Sequence, residues 1–367
     1  MIEHQVCKTC VMDTSDPGLY FDEDGRCSVC HAYEAEKAIK GYHPGESEKR
    51  LQALVTEMKR DGKNKDYDAI LGLSGGVDSA YLLYVAHTLG LRVLAVHVDT
   101  GWNSEIAVHN IQRMCDRLGI QLHTIVIDWL AMKELQRAYL LSGVANLDVP
   151  QDHAFMSALR KFAKKYRQKY LLSGSNLATE GVGSPFSLQQ SYMDTRHMRS
   201  IYRRNGRGKS IRKYPLLPLF KAFWMQLTVR QVTLLNHIPY SKKEAIEVLS
   251  REFGWEYYGG KHFESRFTKY FQSVYLPRKF KYDKRKHHLS CLVLNGEITR
   301  QEALCELNMP PYSLTEQKED EAYILKKLEI DPGQWQRILD APPTPNSDYP
   351  SWGRVILLAR RLWNRRK

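Results

Sequence analysis

The run Ala69-Ile70-Leu71-Gly72-Leu73 leads without a break into Ser74-Gly75-Gly76-Val77-Asp78-Ser79, and a helical apolar pattern follows over 79–89. A short buried strand, two adjacent glycines and a helix start in that order make the first strand–loop–helix unit of an open α/β sheet. The alternation continues downstream. Residues 93–98 predict a second strand, a helix reaches to Leu118, 122–127 predict a third strand, a basic amphipathic helix spans 153–166, and 170–172 predict a fourth strand. Apolar runs of this length, separated by helices, predict a doubly wound parallel sheet covered on both faces.

The loop itself carries chemistry. Adjacent glycines let backbone N–H groups turn inward around an anion, the Ser74 and Ser79 hydroxyls add donors, and the following helix presents its positive end. Ser74, Gly75, Gly76, Val77, Asp78 and Ser79 are therefore expected to hold phosphate. A carboxylate is out of place in an anion nest unless it coordinates a cation, so Asp78 is assigned as a magnesium ligand. Asp99, closing the second strand, and Gly174, Asn176 and Glu180, after the fourth, stand in register with the loop and complete the expected nucleotide site. Gly206-Arg207-Gly208-Lys209-Ser210 imitates a Walker ending, but Arg203 stands where a glycine is required. Residues 200–214 are expected instead to form a basic hairpin turned at Asn205-Gly206.

Cys7-x-x-Cys10 and Cys27-x-x-Cys30 match a four-thiolate zinc ribbon. Four sulfurs fill a tetrahedral shell, so this site is expected to be structural, with His4 and His31 as surface residues and an iron–sulfur cluster as the alternative to zinc. Cys115, Cys291 and Cys305 are scattered, which suits a reducing compartment. The start MIEHQVCKTC lacks the features of a signal peptide, and no run approaches the roughly 18 apolar residues of a membrane span. A cytoplasmic location is expected. The formal charge of +13 suits an RNA and a nucleotide sugar equally.

The pattern changes after Tyr214 to helical segments rich in aromatics and bases, interrupted by Pro215, Pro218, Pro239 and Pro277. Three units are expected: a knuckle over 1–45, the α/β domain over 46–214, and a mainly helical substrate-binding region over 215–367. In the last of these, 257–304 interleaves cations with Phe263, Phe267, Tyr270, Phe271, Tyr275, Phe280 and Tyr282, a pattern that suits a base and its phosphates. The basic stretch 360–367 reads as a partner-docking or membrane-surface tail, or as a solvated helix end.

The hexapeptide resembles the pyrophosphate loop (PP-loop) of the N-type ATP pyrophosphatases, which split ATP between the α and β phosphates. The loop, the cysteine pairs and the C-terminal segment together resemble the N-acetyl sugar amidotransferase family of the WbpG and PseA type. The most specific C-terminal motifs are Gly259-Gly260-Lys261-His262-Phe263-Glu264-Ser265, Asp283-Lys284-Arg285 with His288-Leu289-Ser290, and Gly296-Glu297-Ile298-Thr299-Arg300. The stretch from Asn176 to Glu180, with Asp194 and Arg196, also fits.

This resemblance implies that ATP and magnesium activate the oxygen of an N-acetyl group on a nucleotide-linked sugar, and that ammonia then displaces AMP to give an acetamidino sugar for surface polysaccharide. It places Asp78, Lys261 and Arg285 in catalysis, and Asp194, Arg196, Lys261, His262, Arg266, Lys284 and Arg285 around the sugar nucleotide. The chain shows no glutaminase with a nucleophilic cysteine, so the family points to a HisH-like glutaminase and a HisF-like protein as partners supplying ammonia. Nucleic acid is not the expected partner. The alternative is a tRNA-thiolating PP-loop enzyme, which needs reactive thiols or a cluster in the synthetase domain; no CxxC lies there.

Overall fold

A computed structural model describes residues 4–16, 18–182, 191–353, 355, 356 and 358. Five parallel strands form the sheet: β1 (Ala69–Gly72), β2 (Val93–Asp99), β3 (Leu122–Val126), β4 (Tyr170–Leu172) and β5 (Arg230–Val232), in the order β3-β2-β1-β4-β5. The four strands expected from the sequence all form. The fifth lies beyond Tyr214, so the segment expected to be mainly helical also supplies the edge strand of the sheet. With three residues, two of them exposed, β5 is too short to show alternation.

Helices run along the chain as α1 (Ser28–Lys40), α2 (Glu46–Gly62), α3 (Val77–Thr88), α4 (Glu105–Leu118), α5 (Trp129–Ser142), α6 (Val149–Lys165), α7 (Leu177–Glu180), α8 (Thr195–Asn205), α9 (Leu219–Thr228) and α10 (Lys242–Phe253). They continue as α11 (Arg266–Tyr270), a π-helical stretch (Phe271–Phe280), α12 (Arg285–Asn295), α13 (Arg300–Asn308), α14 (Leu314–Leu328) and α15 (Pro332–Asp340). Successive strand residues point to opposite faces, which divides the core in two. Ile70, Leu94, Val96 and Leu171 pack with residues of α5, α6, α8 and α14. Leu71, Val93, Ala95, Leu172 and Val232 pack with residues of α2, α3, α4 and α10. No helix among the described residues is long and apolar enough to cross a membrane.

Two local expectations fail for identifiable reasons. Helix α5 went unrecognised because Lys133, Glu134 and Gln136 interrupt its apolar period, yet all three are buried. Lys133 pairs with Glu329, Glu134 with Arg207, and Gln136 donates to the Leu147 carbonyl. The hairpin expected over 200–214 is instead the end of α8. Asp194 caps that helix by accepting from His197 N at 3.0 Å, Met198 and Ile201 bury one face, and Asn205-Gly206 ends it. Asn205 turns its side chain back to the Ile201 carbonyl at 3.2 Å.

The N-terminal knuckle docks onto the C-terminal helices. Val11 packs with Leu289 and Ala303, Arg300 donates to the Cys7 and Cys10 carbonyls at 2.9 and 3.0 Å, and Lys286 pairs with Asp13 at 2.5 Å. The basic tail at 360–367 lies outside the described residues.

Candidate active site

The strand order reverses between β1 and β4, and the loops leaving their carboxyl ends diverge there; this is where open α/β sheets bind ligands. A cavity of about 510 Å³ opens at this point. The glycine-rich loop forms one wall. Ser74 Oγ lies 3.1 Å from Ser79 Oγ and accepts from Gly76 N at 3.2 Å, so the loop is held closed on itself. Gly75 has φ +87°, a backbone conformation that L side chains rarely adopt. Gly174 lets the β4 loop press against the first turn of α3: a Cβ there would stand 3.0 Å from the Asp78 carbonyl carbon and the Ser79 nitrogen.

Asp78 and Lys261 form the polar centre. Asp78 Oδ2 lies 3.3 Å from Lys261 Nζ, and Oδ1 accepts from Asn176 Nδ2 at 3.2 Å and from the Tyr240 hydroxyl. Lys261 Nζ also reaches Glu180 Oε1 at 3.1 Å and Thr179 Oγ1 at 3.0 Å. Burial alone would raise the Asp78 carboxyl, but the Lys261 ammonium and the Tyr240 hydroxyl hold it below the usual carboxylate range. Burial would likewise lower the Lys261 ammonium, yet Asp78 and Glu180 keep it above its ordinary value. Both groups stay charged.

The loop before α11 closes over the phosphate loop. Val77 N donates to the Tyr258 hydroxyl at 3.1 Å, and the Glu264 carboxylate faces Gly76, with one buried oxygen lacking any hydrogen-bond partner. Lys284, at the start of α12, also lines the cavity. Burial pushes its ammonium down to about 8, Glu180 opposing and Lys261 adding to the shift. Along α6 the cavity meets Asp148, Gln151 and Asp152. Burial raises Asp148 to about 6, against hydrogen bonds from Thr268 and Gln151; burial and repulsion from Asp148 raise Asp152 to about 7.

Of the residues expected at the site, Ser74, Gly76, Val77, Asp78, Ser79, Gly174, Glu180, Lys261, His262 and Lys284 line the cavity. Asn176 stands behind it, tied to Asp78, and Gly75 packs against Ala107. The others are occupied elsewhere. Asp99 accepts from Gly101 N at 2.7 Å and Asn103 Nδ2 at 3.1 Å, which makes it the turn residue after β2. Arg266 pairs with Asp320 at 2.7 Å and lies over the Tyr323 ring.

Arg285 is fixed to Asp283 at 2.8 Å and donates to the Glu306, Leu307 and Met309 carbonyls, closing the C-terminal end of α13. Asp194 is fully buried as the cap of α8 and accepts from Trp352 N at 2.8 Å, while Arg196 lies over the Trp352 ring. These four charged side chains hold the helical region together and do not reach the cavity. Sequence reading missed Asp148, Gln151, Asp152, Thr179, Tyr240 and Tyr258. The available signal was the run of polar residues on the inward side of α6.

At the N-terminus the four cysteines are buried and converge, with Sγ atoms 3.6–3.7 Å apart across Cys7–Cys30, Cys10–Cys27 and Cys27–Cys30. Four thiolates about 2.3 Å from a tetrahedral ion lie about 3.8 Å from one another, so the cluster fits a metal site. The Cys10 and Cys27 amides donate to Cys7 Sγ at 3.4 and 3.3 Å, as suits sulfurs carrying negative charge. His4 and His31 are exposed and bond to Asp13 and Asp22.

Residues 264–362 match the model of the LPS biosynthesis protein WbpG-like C-terminal domain, and residues 68–181 match that of the queuosine biosynthesis protein QueC. The chain is 30% identical over 132 residues to one component of the glutamine-hydrolyzing GMP synthase of Archaeoglobus fulgidus, covering 35% of this chain and 40% of that protein. It is 35% identical over 115 residues to tRNA(Ile)-lysidine synthase of Chlamydia pneumoniae, covering 26% and 36%. The chain thus spans less than half the length of these relatives. Among solved structures, the NH3-dependent NAD synthetase from Campylobacter jejuni aligns with 72% of this chain and 97% of its own at 16% identity and a TM-score of 0.31. The sheet and the loop between β1 and α3 thus lie in a segment that matches the QueC model, and a segment that matches the WbpG-like C-terminal domain follows it.

Proposed function

We propose that the protein is an ATP-dependent sugar amidotransferase: it adenylates the oxygen of an N-acetyl group on a nucleotide-linked sugar and replaces that oxygen with ammonia. The observation that carries this reading is the make-up of the cavity. Glu264, Ser265, Thr268, Gln272 and Lys284, all within the WbpG-like segment, share one volume with Ser74, Gly76, Asp78 and Ser79 of the phosphate loop. That a segment matching the WbpG-like C-terminal domain shares a cavity with the glycine-rich loop supports this reading.

An amide carbonyl is a poor electrophile, and adenylation turns its oxygen into a leaving group. The loop amides and the Ser74 and Ser79 hydroxyls would bind the phosphates. Lys261, kept charged between Asp78 and Glu180, would face the negative charge that develops as pyrophosphate leaves. Magnesium fits the site, because the Glu264 carboxylate, whose Oε1 faces Gly76, has a buried Oε2 without a hydrogen-bond partner among the described residues, and Asp78 offers a second carboxylate. Few carboxylates suffice where substrate phosphates complete the shell; bound there, the ion would neutralise phosphate charge. The cysteine cluster would hold structural zinc, distant in role from the chemistry. Ammonia would come from a HisH-like glutaminase with a HisF-like protein, in the cytoplasm.

A second reading, a tRNA-modifying PP-loop enzyme, is favoured by the similarity to tRNA(Ile)-lysidine synthase and by the +13 charge. ATP–pyrophosphate exchange separates the two. Stimulation by a diacetamido nucleotide sugar, and none by tRNA, is the expected result; the reverse pattern would replace this reading with the second.

A further inference from the structure

The wall of the cavity formed by α6 is anionic, although the proposed acceptor group, an acetamide, is neutral. Asp148 precedes α6 and is 9% exposed, yet its carboxylate does not cap the helix. Its Oδ1 takes both donors, Thr268 Oγ1 at 3.0 Å and Gln151 Nε2 at 2.8 Å, which leaves Oδ2 without a hydrogen bond among the described residues. One turn later Asp152, an exposed residue, lines the same cavity with a carboxylate that makes neither a hydrogen bond nor an ion pair among the described residues. Residues four apart on a helix bring their side chains within about 6 Å. Two carboxylates on one wall of the cavity, each with an oxygen open to it, suit a ligand bearing N–H donors and positive charge.

The proposed reaction makes such a group. Ammonia forms a C–N bond to the adenylated acetamide carbon and the nitrogen sheds one proton. The C–O bond then breaks with its electron pair leaving on AMP, and the organic product is an acetamidinium, planar, cationic and edged with N–H donors. We propose that Asp148 and Asp152 are the counter-ions of this amidinium, with Asp152 passing the shed proton on to solvent so that both stay carboxylates against the product. The inference rests on the amidine-forming reading above. An amidinium presents the same fork of parallel N–H bonds that makes guanidinium–carboxylate pairs strong. The pair therefore favours the state in which positive charge has developed and leaves the neutral acetamide without such a gain. His262 and Lys284 are the cations whose fields reach both carboxylates, and burial holds the pair close to neutrality. Both are thus poised to take a proton or a cation.

Ammonium shares the N–H cation chemistry, so the test compares acetamidinium chloride, acetamide and ammonium chloride, each titrated into the full chain and followed by saturation-transfer or calorimetric binding. The wild type should bind acetamidinium at least about tenfold tighter than acetamide or ammonium. That preference should fade as pH falls from about 8 to about 5, as the carboxylates protonate. Asp148→Asn and Asp152→Asn, checked for native circular dichroism, should each erase it. Equal binding of acetamidinium and acetamide by the wild type overturns the proposal without any variant. So does ammonium binding as tightly as acetamidinium, a preference that survives both substitutions, or displacement of acetamidinium by magnesium chloride alone. Amidine formation on a sugar is measured separately, so a failed sugar assay counts against the reaction and leaves the binding result to decide this site.

Discussion

Lys261 Nζ stands 3.3 Å from Asp78 Oδ2 and 3.1 Å from Glu180 Oε1, joining the phosphate loop after β1 to the helix after β4 through a side chain from the C-terminal region. With a side chain only 11% exposed, it couples three stretches that lie far apart in sequence. Lys261→Met should leave two carboxylates facing each other across the cavity and remove the positive charge opposite the phosphates. AMP-forming turnover should fall about a hundredfold or more, read as the rate of pyrophosphate release, while Lys261→Arg retains part of it.

Gly174→Ala would place a methyl against the backbone of Asp78 and Ser79. The phosphate loop must then shift, and overpacking of this kind costs about 1–3 kcal/mol. The expected result is ATP affinity weakened about tenfold in an equilibrium binding assay, with the sheet intact by circular dichroism.

Activity should be bell-shaped in pH. Asp148 and Asp152 must be ionised and Lys284 protonated, so kcat/KM should rise through about 6 to 7 and fall above about 8. The two carboxyls titrate as a pair, so the rising limb belongs to both. Their folded values lie above the unfolded value of about 4, so the folded state binds these protons more tightly. That contribution to stability is complete below about pH 4 and is lost as pH rises through the folded values. The Tm gained by an Asp148→Asn, Asp152→Asn double variant over wild type should accordingly be larger at pH 8 than at pH 5.

Arg285→Ala should act on stability and spare the chemistry. It removes donors to three carbonyls at the end of α13 and the partner of Asp283, a loss of about 1–3 kcal/mol. Denaturant unfolding should report it, with kcat of the surviving folded enzyme within about threefold of wild type.

Removing the proposed zinc should release the knuckle. Four buried thiolates without an ion repel one another, and Arg300 and Lys286 lose the surfaces they hold. A chelator strong enough for zinc should release about one equivalent per chain and open residues 4–30 to proteolysis, while α3 and the sheet stay protected.

The sheet was legible because its strands are continuous apolar runs and its loop follows the first of them. The knuckle was legible because thiolate spacing encodes metal geometry directly. The cavity lining was legible only where it is local in sequence: Ser74, Asp78 and Ser79 lie within six residues, whereas Asp148 and Tyr258 reach the cavity only through packing of distant segments. Charge misled most at Arg266, Arg285, Asp194 and Arg196. A cation in a basic segment reads as a phosphate contact, but a partner such as Asp320, or the open carbonyls of α13, is visible only in three dimensions. The buried polar face of α5 was hidden for the same reason, since Lys133 and Glu134 find their partners at 329 and 207.

Mass spectrometry of the sugar tests the proposed amidination most directly. A diacetamido nucleotide sugar incubated with the protein, ATP, magnesium and ammonium should lose about one mass unit as oxygen gives way to N–H, with AMP and pyrophosphate formed in equal amounts. An unchanged sugar across candidate diacetamido substrates, alongside AMP formation driven by tRNA, would contradict it.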